Sequence, residues 1–84
     1  MMSIATGEDV EARHFMDGEH QITIGIERNL WPRLQVVANE VARGKGWLRG
    51  SGTDWDYLNI WIIGRLNSCP KGMEPYAWVA RAAQ

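Results

Sequence analysis

The chain has 84 residues, enough for one domain and not for two, and a chain this short buries only about 60–65% of its unfolded surface, so its core is thin. Its formal net charge of −1 does not announce a nucleic-acid or membrane partner. A single cysteine, Cys69, excludes an internal disulfide and a cysteine metal cluster, and no stretch approaches the roughly 18 apolar residues of a membrane span.

The N-terminus, MMSIATGEDVEA, has neither a basic n-region nor an apolar run, so it does not read as a signal peptide, and residues 1–8 read as a loose arm. With the lone thiol this predicts a reducing compartment, the cytoplasm. Val10 to Met16 and His20 to Ile26 alternate as two strands of a hairpin around Asp17-Gly18. A two-residue loop at Asp17-Gly18 sets Arg13 opposite Ile22 and Glu11 opposite Ile24, mixing charge into the apolar face. A register one residue away pairs Met16 with His20, His14 with Ile22, Ala12 with Ile24 and Val10 with Ile26. One face is then nearly all apolar, and this is the register predicted.

Leu30 to Arg43, LWPRLQVVANEVAR, is the organising helix, with Leu30, Leu34, Val37, Ala38 and Val41 on one face. Asn29 suits its N-cap, Pro32 its first turn and Gly44 its stop, and Glu40 can reach Arg43. Residues 44 to 56, GKGWLRGSGTDWD, hold four glycines in their first nine positions and read as a loop. Tyr57 to Leu66 alternates Leu58, Ile60 and Ile62 against Trp61 and Ile63, which predicts a central strand; a helix starting at Asp54 is the competing reading. Residues 67–75, with two prolines and a glycine, form a loop. Tyr76 to Ala82 reads as a last strand or a short C-terminal helix. The predicted fold is α+β: a small four-stranded, mostly antiparallel sheet in the order ββαββ, with one amphipathic helix packed on a face.

Charge is segregated along the chain. Residues 1–27 carry six acids and one base and residues 28–84 four acids and eight bases, a balance of −5 against +4. The acids Glu8, Asp9, Glu11, Asp17 and Glu19, with Glu27, form a candidate acidic face that can mimic phosphates toward a partner. The basic half holds the candidate partner-binding set: Arg43, Lys45, Trp47 and Arg49 interleaved with glycines, followed by Trp55. Arginine and tryptophan are enriched at protein hot spots, and the same combination can grip phosphates and stack a base. Asp54 and Asp56 follow at once and repel phosphate, which favours the protein partner. Gly44-Lys45-Gly46 lacks the strand, spacing and Ser/Thr of a P-loop.

No motif carries a specific chemistry. His14 and His20 share a face in the predicted register, but no third ligand joins them, so no metal and no cofactor are expected. Cys69 has no partner base, and no catalytic set can be read from the spacing. The expected function is therefore a small non-enzymatic protein-binding module, an inhibitor or adaptor of a larger protein or nucleoprotein complex. In size and composition it resembles small phage-encoded inhibitors of host defence such as anti-CRISPR proteins, a similarity that reaches no individual residue. The alternative is a small nucleic-acid-binding domain, with Arg33, Arg43, Lys45 and Arg49 on the backbone and Trp47 stacking. An open strand edge leaves both monomer and homodimer open.

Overall fold

A computed structural model describes residues 9–84; the expected arm over 1–8 lies outside that range. Strands β1 (Val10–Asp17) and β2 (His20–Glu27) form a two-stranded antiparallel sheet. A 3-10 turn, Arg28–Leu30, leads into helix α1 (Trp31–Lys45). A second 3-10 segment, Trp47–Gly50, precedes α2 (Asp54–Asn67), and α3 (Pro75–Arg81) closes the chain.

The α+β class stands, but the four-stranded sheet does not: residues 57–66 and 76–81 belong to helices, not strands, and Ala82 follows the last helix as its C-cap. Local chemistry decides the first. Thr53 caps α2, accepting from the Asp56 amide, while the Asp56 carboxylate accepts from the Thr53 amide, a reciprocal capping box that ends the loop at Thr53. The buried residues Leu58, Trp61 and Ile62 then follow at helical spacing, whereas Ile60 and Ile63 are only half-buried, so the period-2 pattern was incidental. At the C-terminus Glu74 accepts from the Ala77 amide, Pro75 opens the helix where its missing N–H costs nothing, and Val79 is its buried anchor.

The hairpin register also differs from expectation. Asp17 pairs with His20, Phe15 with Ile22, Arg13 with Ile24 and Glu11 with Ile26, around a Gly18-Glu19 turn. Gly18 alone takes positive φ there, +66°, the pattern of a II′ hairpin turn. The inner face thus carries Phe15, Ile22, Ile24 and Ile26 together with Glu11 and Arg13. Burying the ring of Phe15 outweighs the two charges, because the charges sit at the rim and are satisfied there. Arg13 Nε donates to Glu11 Oε2 at 2.6 Å, and its guanidinium lies 4.8 Å from the centre of the Trp31 ring. His14, opposite Thr23, and His20, opposite Asp17, now fall on opposite faces of the sheet.

α1 starts one residue later than expected and runs past Gly44 to Lys45. Asn29 lies in the 3-10 turn rather than capping, and Gly46, at φ +68°, supplies the left-handed stop. Its buried face is Trp31, Leu34, Ala38 and Ala42, with Leu30, Val37 and Val41 partly buried beside it. No Glu40–Arg43 ion pair forms; among the described residues both ion pairs are made by Glu11, to Arg13 and to Arg28. The core joins Phe15, Ile24 and Ile26 from the sheet to Trp31 and Leu34 of α1, Leu58, Trp61 and Ile62 of α2, and Val79 of α3. All helices serve the inner face; Val10, Ala12, His14 and Met16 of the outer face remain exposed.

Candidate protein-contact site around the 46–55 segment

Two amides fix the segment between α1 and α2. Gln35 Nε2 donates to Asn39 Oδ1 at 3.0 Å and to the Asp54 carbonyl at 2.9 Å, and Asn39 Nδ2 reaches Asp54 Oδ1 at 3.5 Å. The side chains of α1 thereby hold the first turn of α2. Between these anchors the chain makes a left-handed excursion. Leu48 sits at φ +51°, ψ 23° and Arg49 at φ +54°, ψ 29°, followed by Gly50 at φ +79°. Glycines stand at 44, 46, 50 and 52, yet the strained conformation falls on a leucine and an arginine, at about 1–2 kcal/mol each.

Short hydrogen bonds hold the excursion. The Ser51 amide and hydroxyl both donate to the Leu48 carbonyl, at 2.9 and 2.7 Å, and the Gly52 amide donates to the Tyr57 hydroxyl at 3.1 Å. A Cβ on Gly52 would fall 2.6 Å from Leu48 Cδ1 and 2.8 Å from the Tyr57 ring, so this glycine is required for close approach.

The predicted residues do not form one cluster. Arg43 and Arg49 line a groove of about 490 Å³ with Asn39, Gly52, Asp54 and Tyr57. Lys45 and Trp47 line a different groove of about 370 Å³, with Val41, Ile60, Trp61 and Arg65. Trp47 is half-buried and packs against the core. Trp55, 50% exposed, projects from the first turn of α2, and Leu48 is 46% exposed. Leu48 and Tyr57 are contributors that sequence reasoning missed: nothing in a Trp-Leu-Arg-Gly run marks a left-handed leucine.

The acidic residues are dispersed. Asp9 lies at the open end of the hairpin and Asp17 and Glu19 at its tip, separated by most of an eight-residue strand, roughly 25 Å. Glu11 is half-buried and neutralised by Arg13 and Arg28. Glu8 lies outside the described residues. Asp54 and Asp56 serve the α2 N-terminus, where carboxylates also complement the helix dipole.

A second polar assembly joins α2 to α3. Arg65 donates to the Trp78 carbonyl from Nε at 3.0 Å and from an Nη at 2.8 Å, with its guanidinium carbon 3.5 Å from the centre of the Trp78 ring. Trp78 Nε1 returns a bond to the Arg65 carbonyl at 2.9 Å. Burial, then the neighbouring Arg81 cation, lower the Arg65 pKa from its ordinary value, with Cys69 acting weakly in the opposite sense.

Among the described residues no group of three or more His, Cys, Asp or Glu side chains is placed to hold a metal ion, and no helix is long and apolar enough to cross a membrane. No known protein family, curated protein or solved structure matches this chain.

Proposed function

We propose that this chain is a small protein-binding module, an inhibitor or adaptor of a larger complex, that contacts its partner through Leu48, Arg49, Arg43 and Trp55. A phage-encoded inhibitor of host defence, of the anti-CRISPR kind, is the concrete form of this reading. The observation that carries it is the left-handed pair Leu48–Arg49. Strain of this kind persists only where the surroundings over-determine it, and it clusters at functional sites. Here it leaves Leu48 exposed and sets Arg49 on the groove that Arg43 also lines, while Trp55 is exposed on the first turn of α2; arginine and tryptophan are the residue types enriched at protein hot spots. The alternative, nucleic-acid binding, puts Arg43, Lys45, Arg49 and Trp47 in one cluster, but Trp47 packs on the core and lines a groove with Lys45 and Arg65, apart from the groove of Arg43 and Arg49.

The test is an affinity capture from host-cell lysate, with and without nuclease, using the wild-type chain beside an Arg49→Ala/Trp55→Ala variant. A stoichiometric protein that survives nuclease and is lost with the double variant is the expected result. Recovery of nucleic acid, or of proteins released by nuclease, moves the assignment to the alternative. Equal capture by both chains removes the segment from the site.

A further inference from the structure

In the hairpin register, the odd-numbered residues of β1 exchange hydrogen bonds with β2 and the even-numbered ones turn their N–H and C=O groups outward. Both outer edges confirm this alternation. On β2, the Tyr76 hydroxyl donates to the Thr23 carbonyl at 2.9 Å. On β1, the Asn59 carboxamide accepts from the Met16 amide at 2.8 Å and donates to the Met16 carbonyl at 2.9 Å, imitating a paired strand. Asn59 therefore closes the edge at Met16. From Val10 to His14, nothing among the described residues covers it, and Val10, Ala12 and His14 are exposed.

We propose that this open edge of β1 pairs antiparallel with β1 of a second copy, centred on Ala12, joining the two hairpins into a four-stranded sheet. The register follows from the chain itself. Pairing about Ala12 sets Val10 opposite His14 and Ala12 opposite itself, so all three outward-facing residues bond and about six backbone hydrogen bonds close. It uses the whole open edge and stops where Asn59 blocks it.

The same register sets Glu11 opposite Arg13 of the other copy, twice. These fall at the non-hydrogen-bonded positions, where side chains of facing strands come closest. Each Glu11 already binds Arg13 of its own strand, so the four groups form one alternating ring. Centring on Glu11 or on Arg13 instead would place like charges face to face. At the twofold axis stands alanine, with no bulk to hold the strands apart. The surface is separate from the 46–55 segment, and neither assignment depends on the other.

Sedimentation equilibrium of the full chain reads the proposal: the wild-type chain is expected to dimerise reversibly. Ala12→Pro removes the central N–H at an edge position where the isolated hairpin tolerates proline, and is expected to raise the dissociation constant at least tenfold with unchanged far-UV circular dichroism. Register is read independently by cysteine. In a Cys69→Ser background, Ala12→Cys is expected to cross-link to itself under mild oxidation, its Cα atoms lying about 5.5 Å apart. Val10→Cys, whose copies lie roughly 13 Å apart in this register, is not. Glu11→Arg and Arg13→Glu chains, each self-repelling, are expected to associate with one another when mixed. A wild-type chain that stays monomeric up to about 1 mM overturns the proposal, as does a dimer that Ala12→Pro leaves intact or one that cross-links at Val10→Cys and not at Ala12→Cys.

Discussion

The left-handed conformation of Arg49 makes a prediction whose sign opposes the usual rule. At an ordinary position, glycine is less stable than alanine by roughly 0.5–1 kcal/mol, because its unfolded chain has more freedom to lose. Arg49 sits at φ +54°, where an L-residue with a Cβ pays about 1–2 kcal/mol and glycine pays almost nothing. Arg49 is exposed, so Arg49→Ala and Arg49→Gly discard the same few contacts and differ only in the Cβ. The backbone relief outweighs the entropy, leaving Arg49→Gly more stable than Arg49→Ala by about 0.5–1 kcal/mol. For a domain of this size that is a melting temperature higher by roughly 2–8 °C.

The assay is thermal unfolding of the two variants followed by tryptophan fluorescence, with urea titrations giving the same difference from an unchanged slope. A glycine variant that melts below the alanine variant refutes the claim of strain, and with it the observation on which the contact site rests. Partner capture supplies the complementary reading. If the strained turn exists to present Arg49, Arg49→Gly gains stability while losing capture, the trade-off expected where a site is held in an unfavourable conformation.

The remaining predictions concern what joins the elements. Asp56→Ala removes half of the capping box and is expected to cost about 1 kcal/mol in urea unfolding, while Asp56→Asn recovers part of it. Asn59→Ala removes both bonds to Met16; hydrogen exchange at the Met16 amide is expected to speed up at least tenfold while the amides of Phe15 and Ile24 keep their protection. Arg65→Met keeps the stem but loses the bonds to the Trp78 carbonyl and the stacked cation, for about 1–2 kcal/mol and a changed Trp78 emission as α3 loosens. That loss is expected to be flat between pH 6 and 9. A base whose pKa is lowered on folding contributes stability that rises with pH only on approaching its own titration, and the guanidinium stays charged far above this window.

What could be read from the sequence was whatever a local signal carried without competition. The α1 stripe from Leu30 to Val41 is one such signal, and the hairpin is another, because glycine beside alternating Ile and Thr leaves few alternatives. The 57–66 segment was ambiguous because Leu58, Ile60, Trp61, Ile62 and Ile63 satisfy period 2 and period 3.6 together. The deciding information lay upstream, in Thr53 and Asp56, which read as loop residues until their spacing is recognised as a capping box. The contact segment was legible in composition and not in geometry. Trp47 and Arg49, two residues apart, look like one cluster, and the left-handed turn between them sends them to different grooves.

The register of the hairpin carries the most consequence for the least sequence. By hydropathy per residue, a face made of Val10, Ala12, His14 and Met16 is better suited to burial than one containing Glu11 and Arg13. The fold weighs something else. Phe15 is fully buried against Trp31, with ring centres 5.8 Å apart, whereas Glu11 and Arg13 neutralise each other, the Arg13 guanidinium lies over the same Trp31 ring, and the Trp31 indole donates to the Glu11 carbonyl. A charged pair at a rim costs little; an exposed phenylalanine forgoes on the order of 2 kcal/mol of burial. The shift also turns the N–H and C=O groups of Val10, Ala12 and His14 outward, and it leaves an acid and a base spaced to meet their opposites across a twofold axis. The choice that satisfies the core is therefore the same choice that decides which residues line the open edge.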